Sequence, residues 1–337
     1  VHELRKDLLS NNWVVVLDPS LGPADYEAPP SETDDEEQCL FCPGREEETS
    51  PELASARAEG SGPGGPGWWA RAVSSRRPIL VSGAELGRKG VGIYDRMNAV
   101  GVNEIIVESP EHSRCPEDIG QEQVCRVVEL YRSRILEIQK DARIRHVLIC
   151  KNSGRRAGAA FAHPHSMVVA TPVIPQYIKV ELDGAKGYYA YKERCIFCDI
   201  LDEELRAGAR VIAETEHFVA FCPFAPRYAF EFWIMPRTHR CAFEEAAPEE
   251  MADLGALLAS TIKKMRSVLR EPSYTLVLHT APNRIPRRDH WHTLGDDFHW
   301  HMEIAPRLMG LPGVESGREL HVLTTSPEDA AKFIREA

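Results

Sequence analysis

Residues 160–172, AFAHPHSMVVATP, set two histidines on either side of a proline at the head of an apolar, β-branched run. Such a run reads as a strand, where residues two apart share a face and the one between points away. His163 and His165 therefore share a face. Pro164 offers no N–H to a ladder, so the segment belongs at a strand end or edge. The pattern returns in FHWHMEIAP (298–306), a second strand carrying a His-x-His, His299 and His301.

Outward from these two strands the same order of elements appears twice. In the first half EIIVES (104–109) reads as a strand, QEQVCRVVELYRSRILEIQKD (121–141) as an amphipathic helix, and RHVLICKN (145–152) as a strand before HPH. In the second, RVIAETEHFVAFCPF (210–224) and FEFWIMP (230–236) read as strands. PEEMADLGALLASTIKKMRSVLR (248–270) then reads as a helix and SYTLVLHT (273–280) as a strand before HWH. Local matches follow the same order: CLFC (39–42) with CIFC (195–198), SPEHSRC (109–115) with PRTHRC (236–241), HPHS with HWHM. This is an internal duplication. It implies an α+β fold of two units, 1–180 and 181–337, each an antiparallel sheet packed by its long helix, whose sheets could join. Residues 45–67, acidic and then rich in Gly, Pro and Ser, read as a loop.

A Cys-x-x-Cys turn presents two thiolates to one metal, and tetrahedral zinc then takes two more ligands from elsewhere. The repeated order supplies them: Cys39, Cys42, His112 and His163 in the first half, Cys195, Cys198, His239 and His299 in the second. Two zinc ions per chain are expected. Of nine cysteines the other five, Cys115, Cys125, Cys150, Cys222 and Cys241, lack such spacing and read as core thiols. His165 stays open between a further ligand, a packed core residue and a nucleophile: a neutral imidazole attacks phosphorus well and leaves well when protonated.

Composition narrows the function classes. A chain of 337 residues with 43% hydrophobic and 27% charged residues is ordinary for a globular protein of two domains. Its net charge of −11 argues against nucleic acid or an anionic membrane as partner, while permitting a local basic pocket for a phosphorylated small molecule. No apolar run approaches the roughly 18 residues of a membrane span, and VHELRKDLLS lacks a signal-peptide core, which makes the cytoplasm the expected location. His146, His217, His279 and His321 lie in strand-like runs and read as packed. His290 and His292 read as loop residues, either a less favoured substitute for His299 as ligand, and Arg284, Arg287 and Arg288 as a basic cluster, solvated or facing phosphate.

Taken together, HELRKD, NWVVVLDP, CLFCPG, GIYDRMNAVGVNEIIVESPEHS, KNSG before HPHS, GAKGYYAYKERCIFCDI and FHWHMEIAPRL resemble the galactose-1-phosphate uridylyltransferase family, a duplicated branch of the histidine triad superfamily. The resemblance spans nearly the whole chain, with the blocks in the family's order. It implies two histidine-triad-like domains, a nucleophile at His165 that becomes nucleotidylated, and zinc on the ligands named above. It also implies a phosphate contact from Asn152, substrate contacts around Ser166 and Met167, a sugar contact from Glu315, and a homodimer. The reaction implied moves a nucleoside monophosphate, UMP first, between a nucleotide sugar and a hexose 1-phosphate. A nucleotide-sugar or dinucleotide phosphorylase is the alternative within that chemistry, and a zinc-stabilised nucleotide-binding protein the alternative outside it.

Three places depart from the family's pattern. Met167 stands where the family has a glutamine, so a donor to the phosphoryl oxygens is absent. Ala160 replaces a frequent serine, and Ser75-Arg76-Arg77-Pro78 replaces Asn-Lys-Phe-Pro. These positions bear on the choice of base, ribose and acceptor.

Overall fold

Strand alternation around the two His-x-His motifs is what assembles the molecule. The computed structural model describes residues 3–6, 13–16, 39–112, 114–286, 291–308 and 323–337. Its first half contains β1 (Glu3–Lys6), β2 (Trp13–Val16), β3 (Glu52–Arg57), β4 (Trp68–Ser74), β5 (Lys89–Val91), β6 (Tyr94–Asn98) and β7 (Val102–Val107). There follow α1 (Pro116–Ile119), α2 (Gln121–Ile138), β8 (His146–Ser153), β9 (His165–Thr171) and the connecting helix α3 (Gln176–Lys192). The second half contains α4 (Ile196–Ala207), β10 (Val211–Glu214), β11 (Phe218–Phe221), β12 (Phe232–Pro236), α5 (Pro248–Leu269), β13 (Tyr274–His279), α6 (Leu294–Asp297), β14 (His301–Pro306) and α7 (Pro327–Glu336).

Ten strands form one sheet in the order β10-β11-β12-β14-β13-β8-β9-β7-β4-β3, and β2-β1-β6-β5 form a second, smaller one. Divided between β13 and β8, the large sheet shows the same strand order in each half, so the duplication read from the motifs is a structural one. The halves join edge to edge through the antiparallel β8–β13 pair, with Ser153 opposite Tyr274 and Ile149 opposite Leu278. The two half-sheets thus cover each other's edge, which would otherwise expose unpaired backbone groups.

Along β9 the even positions Ser166, Val168 and Ala170 are buried while Met167, Val169 and Thr171 are only half-buried. Val168 and Ala170 join Val124, Val127, Val128, Tyr131 and Ile135 of α2 in the core, and Met302 and Ile304 of β14 join Leu254, Leu257, Leu258 and Ile262 of α5. Each fully buried side chain of this kind contributes roughly 1.5–3 kcal/mol. The two long helices meet at Gly255, where a Cβ would lie 2.5 Å from Cys125 Sγ. Helices therefore cover one face of the sheet, and His165 and Met167 project from the other.

Two elements differ from the sequence reading. β3 lies within the stretch expected to be loop, because ELASAR has little strand propensity of its own and is held by pairing with β4. The helix α3 runs through the boundary expected at 180/181, its glycines Gly184 and Gly187 having hidden it from propensity. Among the described residues no helix is long and apolar enough to cross a membrane.

Candidate active site and metal centres

The turn at Cys39–Cys42, closed by Cys42 N–H donating to the Cys39 carbonyl at 3.3 Å, aims both sulfurs at the strand carrying HPH. Cys39 Sγ lies 3.6 Å and Cys42 Sγ 3.7 Å from His163 Nδ1, and Cys42 Sγ lies 3.4 Å from His112 Nδ1. The four ligand atoms fall within 4.8 Å of one another. Tetrahedral zinc with bonds of about 2.0 Å to nitrogen and 2.3 Å to sulfur separates its ligands by roughly 3.5 Å, so this donor set fits the ion. His163 Nε2 donates to the Ser109 carbonyl at 2.7 Å, which leaves the Nδ1 lone pair facing the sulfurs. Burial pushes His163 down to about 4, so it is neutral at pH 7 as a ligand must be.

The second half repeats the arrangement. Cys198 Sγ lies 3.3 Å from His239 Nδ1 and 3.6 Å from His299 Nδ1, and His239 Nε2 donates to the Gly295 carbonyl at 2.9 Å. Hydrogen bonding from Cys198, His239 and His299 lowers the Cys195 thiol against its burial, favouring the thiolate that zinc requires. His299, not His292, completes this group; His290 lies outside the described residues.

His165 begins β9 and is 4% exposed. Its Nδ1 donates to the His163 carbonyl at 2.8 Å, which puts the lone pair of the neutral ring on Nε2. Phe161 meets the imidazole edge to face with centroids 5.3 Å apart, and Phe41 stacks at 6.4 Å. Both phenylalanines line a cavity of about 730 Å³. Met167 lines it too, as do Ala160, Ser75, Arg76 and Arg77, with Val73, Ile105 and Val169 as an apolar floor. The β8–β9 ladder pairs Lys151 with Ser166, and that register sets Asn152 across from His165 on the same face.

The structure does not bring every expected residue to this cavity: His165 adjoins it through Phe41 and Phe161, and Asn152 is not among the residues that line it. The Ser166 hydroxyl lies on the helix side, hydrogen-bonded to Glu108 and 2.5 Å from Tyr131 OH. Glu315, His321, Arg287 and Arg288 lie outside the described residues. Arg284 is taken up by Glu245. Cys115, Cys125, Cys150, Cys222 and Cys241 are half-buried or buried and join no metal-ligating group among the described residues.

Sequence reading also missed a cluster. His279, expected only to be packed, bonds through Nδ1 to Glu181 Oε2 at 2.8 Å, and His301 Nε2 lies 3.2 Å from Glu181 Oε1. Burial opposes it, but Glu181 and Glu303 raise His279 to about 10, making an ion-paired imidazolium. Glu181, His279 and His301 could also ligate a cation. The signal available was the second His-x-His itself, which places His301 where His165 stands in the first half.

Comparison with known proteins bears on these centres. A family profile described as the N-terminal domain of galactose-1-phosphate uridyl transferase matches residues 84–175, and one described as the HIT domain matches residues 204–299. ADP-glucose phosphorylase from Arabidopsis thaliana is 32% identical over 340 residues, covering 99% of this chain and 92% of its own. Galactose-1-phosphate uridylyltransferase from Thermotoga maritima is 27% identical over 255 residues, covering 74% of this chain and 78% of its own. The solved structure of the Arabidopsis thaliana ADP-glucose phosphorylase with bound ADP-glucose superposes with a TM-score of 0.77 at 31% identity, covering 100% of this chain and 99% of that one. A uridylyltransferase structure superposes with a TM-score of 0.79 at 26% identity, covering 99% of this chain and 97% of that one.

Proposed function

The chain belongs to the galactose-1-phosphate uridylyltransferase family, and from that membership we propose a nucleotide-sugar phosphorylase that works through a nucleotidylated His165, with ADP-glucose as donor and inorganic phosphate as acceptor. Nucleotidyl transfer on nucleotide sugars is the reaction class. The observation that carries the choice within it is convergence: Ala160, Met167, Ser75, Arg76 and Arg77, the departures from the family's pattern, all line the one cavity beside His165. Departures gathered at one pocket point to a donor and acceptor other than a UDP-sugar and a hexose 1-phosphate. Likeness over the full chain to an ADP-glucose phosphorylase supports the same reading.

In the first step Nε2 of His165 attacks the α-phosphorus of ADP-glucose. The bond from that phosphorus to the bridging oxygen breaks, and glucose 1-phosphate departs with the electron pair. The ring, still protonated at Nδ1, gains positive charge that the bond to the His163 carbonyl stabilises. In the second step a phosphate oxygen attacks the same phosphorus, the P–N bond breaks, ADP leaves, and His165 returns neutral. Asn152, next to Lys151 and so across from His165, supplies a hydrogen bond to a non-bridging oxygen in this reading. Zinc on Cys39, Cys42, His112 and His163 would fix the strand on which the nucleophile sits, and the second set would do the same for the C-terminal half.

UMP transfer to a hexose 1-phosphate is the second reading, favoured by the match over residues 84–175. Intact-protein mass after incubation with ADP-glucose, UDP-glucose, UDP-galactose and GDP-sugars separates the two. An AMP adduct discharged to ADP by phosphate supports the phosphorylase; a UMP adduct discharged only by a hexose 1-phosphate overturns it.

A further inference from the structure

Charged groups lie buried beneath the nucleophile strand, on the side away from the cavity. Ser166 donates its hydroxyl to Glu108 Oε1, and Tyr131 OH donates to the same oxygen at 2.8 Å. Lys151, which precedes Asn152 on β8, gives Nζ to Glu108 Oε2 at 2.7 Å and lies 3.6 Å from Glu117 Oε2. Glu108 N–H donates to the Pro164 carbonyl at 3.0 Å, and Gln123 Nε2 donates to the Glu108 carbonyl at 2.7 Å. The neighbouring Ser109 carbonyl holds His163. Glu108 and its neighbour therefore touch residues 163, 164 and 166, all around His165, and residue 151 beside Asn152.

Glu108, Lys151, Tyr131 and Ser166 are 1%, 5%, 2% and 0% exposed, amid Val124, Val127, Val128, Leu258 and Ile262. Burial opposes ionisation of Glu108, and Lys151 overrides it. Desolvating such a pair is costly, and well-packed apolar residues in its place are often as stable or more so. Stability alone gives no reason for this cluster. Geometry does: Pro164 leaves the start of β9 without a ladder donor, at the very point where the nucleophile must be held.

We propose that Glu108 is a positioning residue for nucleotidyl transfer: by gripping Ser166 and Lys151 from the helix side, it fixes His165 against Asn152 on the substrate side. This rests on the reading of His165 as nucleophile. A group held through such a clamp acts on the chemical step more than on binding, and a misplacement of about 1 Å can cost roughly 100-fold in rate.

The test compares wild type, Glu108→Gln, the double variant Glu108→Gln/Lys151→Met, and Ser166→Ala. For each, zinc content, melting temperature, ADP-glucose affinity and the first-order rate of adduct formation at saturating ADP-glucose are measured. Glu108→Gln strands the Lys151 charge and lowers the melting temperature; the double variant removes both charges and restores it. With stability and zinc restored and affinity within about threefold of wild type, adduct formation stays slower by about tenfold or more. A rate that recovers with stability overturns the proposal. Ser166→Ala, which deletes one hydroxyl, keeps the test open if the double variant does not fold: a wild-type rate in it is equally adverse. If wild type consumes ADP-glucose without any adduct, the His165 reading fails by itself, and the clamp is then judged on kcat in the same variants.

Discussion

Met167 and Glu303 occupy the same place in the two halves, each two residues past the second histidine of a His-x-His and each on the sheet face away from the long helices. Met167 lines the large cavity, whereas Glu303 is buried and bound to Arg227 and His279. Burial opposes its ionisation, yet His279, His301 and Arg227 hold Glu303 down to about 2. Arg227 and the His279 imidazolium neutralise that carboxylate, which as an acceptor-only group offers a phosphoryl oxygen no hydrogen bond. His301 is in addition wholly buried, stacked on Trp233 and His279 at 4.7 Å each. The second half thus does not repeat the surroundings of His165, the proposed nucleophile.

His165→Asn is accordingly expected to abolish adduct formation entirely, with nothing transferred to His301, while both zinc ions remain bound. The adduct on wild type, a phosphoramidate, should survive base and disappear in acid. Labelled glucose 1-phosphate exchanging into ADP-glucose in the variant would falsify the assignment.

Metal analysis should find two zinc ions per chain. Cys39→Ser removes one ligand of the group around His163 and is expected to lose about one equivalent and to lower the melting temperature, because ligand binding at such a site is part of the folding free energy. His163→Asn should do likewise. Full metal content with unchanged stability in both variants would mean that these four residues do not form a structural centre.

His146 gives a pH dependence separate from the two Cys and His groups. Burial first, and His279 second, push it down to about 4, so the folded protein keeps it neutral where the unfolded chain takes up a proton. Between about pH 6.5 and 4 the unfolded state therefore binds more protons. The stability from this group is complete above that window and is lost as pH falls through it, up to about 3 kcal/mol. His146→Leu should flatten the fall in urea midpoint between pH 7 and 5 relative to wild type. Identical slopes would show that another group sets the acid sensitivity.

How far the sequence reached depends on the kind of signal. Both groups of possible metal ligands were legible because Cys-x-x-Cys and His-x-His are short-range patterns that occur twice in the same order, and the fold brings each set of four together. The face shared by His165 and Met167 followed from strand alternation alone. Glu181 was not legible: it sits on α3, a helix with two glycines and four tyrosines and little amphipathic pattern, and only the tertiary fold brings it to His279 and His301. Glu108 was hidden for a related reason. A lone acidic residue at the end of a strand reads as a surface charge, and its partners Lys151 and Tyr131 lie 43 and 23 residues away.

Met167 is where chemistry and family pattern part, and it yields the sharpest prediction. Its side chain stands on the face of β9 that carries His165 and lines the large cavity, the proposed nucleotide-sugar site. A thioether packs there but donates no hydrogen bond to a non-bridging phosphoryl oxygen as its charge grows. Removing one such donor from an enzyme that has it costs roughly 100- to 1,000-fold. Adding one by Met167→Gln is expected to raise the rate of adduct formation with the preferred nucleotide sugar by about tenfold or more, provided the remaining geometry is shared with the uridylyltransferases. The gain should lie in the chemical step, so that single-turnover rates rise while affinity changes little. A variant slower with every nucleotide sugar would instead show that Met167 is part of the cavity's own design. The thioether would then be shaping the base or acceptor site, and the altered residues around it, Ala160, Arg76 and Arg77, would have to be read as one substrate pocket.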